Sequence, residues 1–282
     1  MKDETKDTVI VLAVILAVFT SAGTGIYLYS GAGSPFSVVV SESMQHGPES
    51  QFGIIDTGDM VYVRSPSLVN IQSYVEGAAT GYRSFGEYGS VIIYDRGPNA
   101  NPVIHRAILW LEYSESPTGH NWTAPYLKEY AGGYDVESGD PDTGMKGSLT
   151  IHNIGYAKQS VTINLDGLNE KSGYLTKGDN ASTNPVFDQN SSISRDNPIS
   201  MEEIRSVPTA ELPALGSVKM YLQGKGDTVP ANSWGVLYAQ LYVVVMFFAV
   251  MMVILDTMFA SLEKRRKKRR EPPTPPFPVE PL

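Results

Sequence analysis

Two stretches of this 282-residue chain carry no charged residue, 8–41 and 228–255. A soluble globule does not keep such runs at both ends, because a buried core helix seldom lacks charge for so long. Residues 236–255 hold one polar interruption, Gln240. As a helix they would be about 30 Å long, the thickness of a bilayer's hydrocarbon core. Trp234, Tyr238 and Tyr242 sit at the start, where an interfacial aromatic belt belongs. Seven consecutive basic residues, 264–270, follow and predict a cytoplasmic C-terminus. Residues 9–29 predict a second span, weakened midway by Thr20, Ser21, Gly23, Thr24 and Gly25. A cleavable signal peptide is the rival, with Thr20-Ser21-Ala22 as its cut site. The leading segment, with two lysines and three acids, and the apolar residues beyond the cut favour an uncleaved anchor.

Two spans with the C-terminus inside put the N-terminus inside as well. The expected order is a cytoplasmic N-terminus (1–8), a span (9–29), an extracytoplasmic domain (30–234), a second span (236–256) and a basic, proline-rich cytoplasmic tail (257–282). The domain carries 23 acidic and 13 basic residues, a net charge of −10, which argues against nucleic acid as a partner. Beside a span, the basic run reads as a contact with membrane lipid. Cysteine is absent, which excludes disulfides, thiolate metal sites and cysteine nucleophiles. The four histidines (His46, His105, His120, His152) match no metal-ligand spacing. No metal or organic cofactor is expected.

The domain is rich in strand signals. Residues 36–40 and 60–63 are short apolar runs, the second after a Thr57-Gly58-Asp59 turn. Residues 91–94 and 103–111 flank Arg96-Gly97-Pro98-Asn99 as a hairpin, and 148–154 with 160–165 alternate as another pair. Helical candidates are few, 67–74 and 201–206. The fold class is mainly β, flanked by two transmembrane helices.

Four short elements carry the chemistry. They are Ser41-Glu42-Ser43-Met44 after an apolar strand, Thr57-Gly58-Asp59-Met60-Val61, Pro102-Val103-Ile104-His105-Arg106, and Leu175-Thr176-Lys177-Gly178-Asp179-Asn180. In this order, between a leading anchor and a trailing span, they resemble the type I signal peptidase family in its archaeal and endoplasmic-reticulum branch. The resemblance covers roughly residues 34–188. The bacterial branch pairs serine with lysine; here the base position holds His105. The archaeal side is favoured by the chain's own second span and by the long stretch 112–173, which reads as an insertion.

The resemblance implies a signal-peptidase-like β catalytic domain and a membrane-bound serine endopeptidase that removes signal peptides from exported preproteins. Ser43 would be the nucleophile and His105 the general base, since a serine hydroxyl needs an adjacent base and imidazole suits that role near neutral pH. Ser41 matches the position whose hydroxyl joins the Ser43 amide in the oxyanion hole of related enzymes. Asp188 and Asp179 are the candidate carboxylates, with Asp188 ranked first. Asp179 sits in Gly-Asp-Asn, where a carboxylate can hold its own turn through backbone amides. His46 is a rival base, three residues from Ser43. Asp59 reads as a turn residue without a catalytic part. The partners implied are preprotein signal peptides and the secretion translocon. Glu42 stands where the family usually has glycine, and Ser90 follows Gly89 where it often has aspartate. Asn121, Asn180 and Asn190 begin glycosylation sequons. Two other readings stay open: a membrane serine peptidase with another precursor or regulatory substrate, and a non-catalytic surface or assembly protein.

Overall fold

The computed structural model describes residues 2–97 and 100–270. The expected proline-rich stretch 272–282 and the Pro98–Asn99 tip of the expected turn lie outside the described residues. The chain divides into two compact units, the first ending at Ser233 and the second beginning at Trp234.

The first unit opens with helix α1 (Lys2–Ser30), continuous because its apolar run holds no proline. Gly31 stops it in the left-handed region (φ +61°) and returns its N–H to the Tyr27 carbonyl at 3.2 Å. A side chain here would be strained by the positive φ and would have to displace Leu68 Cδ1, 2.5 Å from where its Cβ would lie. The last turns of α1 are tied to strand β2 (Met60–Arg64). Ser30 Oγ donates to the Val63 carbonyl at 2.7 Å, and Tyr62 donates to the Ile26 carbonyl at 2.9 Å. The Arg64 guanidinium lies 4.3 Å from the centre of the Tyr29 ring. Helix α4 (Ser233–Arg270) makes up the described part of the second unit. The segments Val9–Ser30 and Ser233–Ser261 are each long and apolar enough to cross a membrane, and neither is buried within the protein.

Between the helices the fold is mainly β. The remaining strands are β1 (Phe36–Val38), β3 (Arg83–Ser84), β4 (Glu87–Tyr88), β5 (Val91–Tyr94), β6 (Val103–Tyr113), β7 (Trp122–Thr123), β8 (Tyr134–Asp140), β9 (Gly144–Ile154), β10 (Gln159–Asn164), β11 (Gly173–Lys177) and β12 (Ile204–Leu212). Ten of them form one antiparallel sheet in the order β1-β2-β12-β5-β6-β7-β9-β10, with β11 also on β6 and β8 also on β9. The long strand β6 is its spine: its first half pairs with β5, its middle with β11 and its end with β7. The hairpin β5–β6 and the pair β9–β10 stand where alternation predicts them.

Two helix expectations are corrected. Residues 67–74 do not form a helix; a 3-10 turn at Pro66–Leu68 precedes helix α2 (Tyr74–Thr80). Ser73 is the N-cap of α2, accepting the Glu76 N–H, and Gly81 (φ +85°) ends it. At 201–206 only Met201–Glu203 turns, because Ile204 leaves to pair with Tyr94 as β12 begins. Helix α3 (Ser217–Leu222) follows β12.

The stretch 112–173 shares the hydrophobic core of the strands around it. Trp122, Leu127, Met145, Leu149 and Ile151 pack in one cluster with Leu109 and Leu111 of β6, Leu175 of β11 and Phe187. Each such side chain contributes about 1.5–3 kcal/mol by leaving water, so the stretch supports the sheet it extends.

Two carboxylates tie the 45–59 loop to the end of β12 and the residues just after it. Asp59 accepts from the Ala214 and Asp56 N–H groups, and Glu211 accepts from Gly53 N–H. Burial pushes Asp59 up to about 6 and Glu211 up to about 7, and for Glu211 the neighbouring Asp59 and Asp56 add to it. In the unfolded chain both titrate near 4. The native state therefore holds more protons between about pH 4 and 7, and stability falls as pH rises through that window. Glu211→Gln is expected to raise the melting temperature above wild type at pH 7.5, with the gap closing by pH 4; thermal scans across pH check this.

Candidate active site

Strand β6 delivers two adjacent side chains. Neighbouring residues of a strand leave on opposite faces, so His105 and Arg106 reach different carboxylates. His105 Nδ1 lies 2.7 Å from Asp188 Oδ2, with both side chains buried. The same oxygen accepts from Tyr94 Oη at 2.7 Å and from Thr176 Oγ1 at 2.7 Å. Burial works to raise the Asp188 carboxyl, but the His105 contact and these hydroxyl donors hold it below its ordinary value. An ionised carboxylate only accepts, so Nδ1 of His105 carries the proton of this bond, and in the neutral ring Nε2 is the acceptor.

Asp188 is set by its neighbours. Phe187 is fully buried in the core. Gln189 Oε1 accepts the Thr176 N–H at 3.2 Å, and its amide donates to the Asn197 carbonyl at 3.1 Å. A 3-10 turn at Asp188–Asn190 lies between these anchors and aims the carboxylate at β6 and β11.

Asp179 serves the other side of β6. Arg106 Nε donates to Asp179 Oδ1 at 2.8 Å and Nη2 to Oδ2 at 2.5 Å. Nη1 donates to the carbonyls of Ser84, Tyr88 and Gly89 at 3.0–3.1 Å. Burial alone would raise the Asp179 carboxyl, but the guanidinium outweighs it and holds the group at about 2. The expectation that Asp179 holds its own turn through backbone amides is thus corrected: its partner is a buried arginine. His46 Nε2 stands 3.6 Å from Asp179 Oδ2, so this rival base is joined to the Arg106–Asp179 pair.

The serine loop is fixed against the end of β11. Asn180 N–H donates to the Ser43 carbonyl and Asn180 Nδ2 to the Glu42 carbonyl, both at 2.9 Å. Gly178 is required here, because a Cβ would sit 2.5 Å from the Ser43 carbonyl oxygen. Lys177, one residue earlier, pairs with Arg106, so the serine loop meets β11 beside the level of His105. Met44 is buried, Gln45 Oε1 accepts from Thr57 Oγ1 at 2.7 Å, and Ser43 itself is half-buried. Ser41 Oγ lies 3.3 Å from Ser43 Oγ. Among the described residues no hydrogen bond joins Ser43 to His105.

Sequence reasoning missed Tyr94 and Thr176 as donors to Asp188, and Arg106 as the owner of Asp179. Thr176 and Arg106 lie inside quoted motifs, so position alone flagged them; Tyr94 carried no local signal. Lys177 is also buried and donates to the Gly178 carbonyl at 2.8 Å. Burial pushes its ammonium down to about 8, which leaves it charged at neutral pH and a donor. Of the sequon residues, Asn180 is occupied as described, Asn121 Oδ1 accepts from Ser116 N–H, and Asn190 Nδ2 donates to the Thr162 carbonyl. His120 and His152 bond Ser138 and Asp135 on the surface.

The two aspartates should therefore behave differently. Asp179→Asn strips a buried guanidinium of its counter-charge and is expected to cost about 3–5 kcal/mol of stability. Asp188→Asn leaves no buried cation unpaired and is expected to cost about 1–2 kcal/mol. Denaturant titration of the purified chain measures both; the reverse ranking would show that Asp179 is not the structural carboxylate.

No protein-family model matches the chain, and no curated protein matches it.

Proposed function

We propose that the chain is a membrane-anchored serine endopeptidase that removes signal peptides from exported preproteins, with a signal-peptidase-like catalytic domain on the extracytoplasmic face and both termini in the cytoplasm. The observation that carries the reading is the buried His105–Asp188 hydrogen bond of 2.7 Å beside a loop that presents Ser43. In this mechanism Ser43 Oγ attacks the scissile carbonyl and gives its proton to His105 Nε2. Asp188 holds the ring in the needed tautomer and stabilises the imidazolium. The Ser43 N–H and the Ser41 hydroxyl donate to the oxyanion. The imidazolium then protonates the leaving amine, and water delivered through the same base releases the acyl group. Substrate binding would close the Ser43–His105 contact, as catalytic hydrogen bonds often tighten only in the Michaelis complex.

The surroundings suit an extended peptide. Strand β1 leads into Ser41–Ser43, and among the described residues it pairs only with β2, so its other edge is open to a peptide strand. A cavity of about 550 Å³ lies beside it, bordered by Ala32, Ser37, Val63, Ile93 and Pro102. Phe36, Arg205 and Ser206 also border it, so the lining is mixed; the preference for small side chains ahead of the scissile bond is part of the proposal. The ties between α1 and β2 link this edge to a helix apolar enough to lie in the membrane, near which cleavage sites would emerge.

The test is cleavage of a preprotein by the purified full-length chain in detergent. Wild type is expected to cut after alanine at the −1 position and to spare a bulky residue there. Ser43→Ala is expected to lose about a thousandfold or more while remaining folded. Undiminished cleavage by Ser43→Ala removes Ser43 as nucleophile; equal cleavage of bulky −1 substrates removes the signal-peptide assignment and leaves a peptidase of other substrate.

A further inference from the structure

The turn between β9 and β10 reaches from the stretch 112–173 to the serine loop. Tyr156 at its tip stacks on His46, with ring centres 4.3 Å apart and planes 26° from parallel. Gln159 Nε2, just past the turn, donates to the Ala181 carbonyl at 3.3 Å in the loop after Asp179. One turn thus touches both segments that meet at Ser43.

The turn is braced at its base. Gly155 N–H donates to Tyr74 Oη at 3.0 Å, and Tyr130 Oη donates to the carbonyls of His152 and Asn153 at 2.8 and 3.1 Å. Asn153 and Lys158 both hold left-handed backbone (φ +55° and +50°), a strained pair for non-glycine residues. Strain kept on so well-held a turn points to a task for its tip.

The loop it meets needs outside support. No regular element occurs between β1 and β2; residues 39–59 are held by scattered turn bonds, such as Gly58 N–H to the Val39 carbonyl, by the Asn180 bonds to Ser43 and Glu42, and by side-chain contacts. His46 is enclosed: Tyr156 covers a face, the Gly86 turn approaches its edge, and Asp179 lies 3.6 Å from Nε2. Asp179 cannot move to meet it, being held by both forks of Arg106.

We propose that Tyr156 and His46 are positioning residues: the β9–β10 turn clamps the serine loop through their stacked rings and fixes where Ser43 sits. Holding the loop is a mechanical claim about this fold; its effect on turnover rests on the serine-peptidase reading above. The clamp acts on the catalyst and leaves the peptide-binding edge at β1 untouched. It therefore alters kcat and spares KM.

The experiment compares full-length wild type, Tyr156→Ala, Tyr156→Phe, His46→Ala and the double alanine variant, by amide hydrogen exchange and by preprotein cleavage. Tyr156→Ala is expected to speed exchange at residues 43–47 with little change in β6, and to lower kcat by about ten- to a hundredfold with KM unchanged. Tyr156→Phe keeps the ring and is expected to restore both. Should Tyr156→Ala unfold, His46→Ala tests the same contact from the other side. The double variant is expected to lose no more than the worse single one, because both remove one contact. Unchanged exchange at 43–47 overturns the clamp whatever the activity. A Tyr156→Phe variant as poor as Tyr156→Ala, or additive losses in the double variant, also overturns it. Faster exchange with a wild type that cleaves nothing keeps the clamp and overturns the proposed function.

Discussion

A single buried guanidinium organises the region around the site. Arg106 is the largest fully buried side chain among the described residues. Its desolvation is offset by a bidentate carboxylate and by carbonyls from the β3–β4 hairpin and the residues after it. These bonds tie together the spine strand, that hairpin and the turn that carries Asn180. Asn180 in turn grips the serine loop at Ser43 and Glu42. An error in placing Arg106 would be felt at each of these points.

The same residue decides which acid is free for chemistry. Both aspartates are buried, and either could in principle face an imidazole. The pleat of β6 sends Arg106 to Asp179 and His105 to Asp188, so one carboxylate supports structure while the other orients the ring. Tyr94 and Thr176 add donors to the oxygen that His105 uses, which fixes the carboxylate as ionised acceptor. The result is a histidine with one nitrogen committed and the other available beside a serine-bearing loop, the arrangement that the proposed peptidase mechanism needs.

Much of this was legible in the sequence, and the misses share a cause. The uncharged runs announced the two long apolar helices, and the alternation around Arg96-Gly97 announced β5–β6. Asp188 ranks above Asp179 in the sequence because Gly-Asp-Asn reads as a turn, and in the structure the Asp188 carboxylate lies 2.7 Å from His105. The reason given for Asp179 was nonetheless incomplete: a buried arginine partner is a tertiary fact, and Arg106 in its own strand looks like any exposed basic residue. Helix α2 was displaced in the reading although Ser73, Glu76 and Gly81 mark its ends; the apolar residues just before it drew the assignment forward. Residues 201–206 were lost to long-range pairing with Tyr94. Likewise, nothing local tells that Trp122, Met145 and Leu149 share a core with Leu109 and Phe187, so the sequence marks 112–173 as an insertion without showing that its strands extend the main sheet.

The measurement that bears most directly on the account is the proton spectrum of His105 in the chain labelled at histidine nitrogens. A short hydrogen bond to a buried carboxylate should give a far-downfield Nδ1–H resonance that persists in Ser43→Ala and disappears in Asp188→Asn. A resonance that survives Asp188→Asn would show that another group holds the ring, and the division of labour between the two aspartates would be wrong.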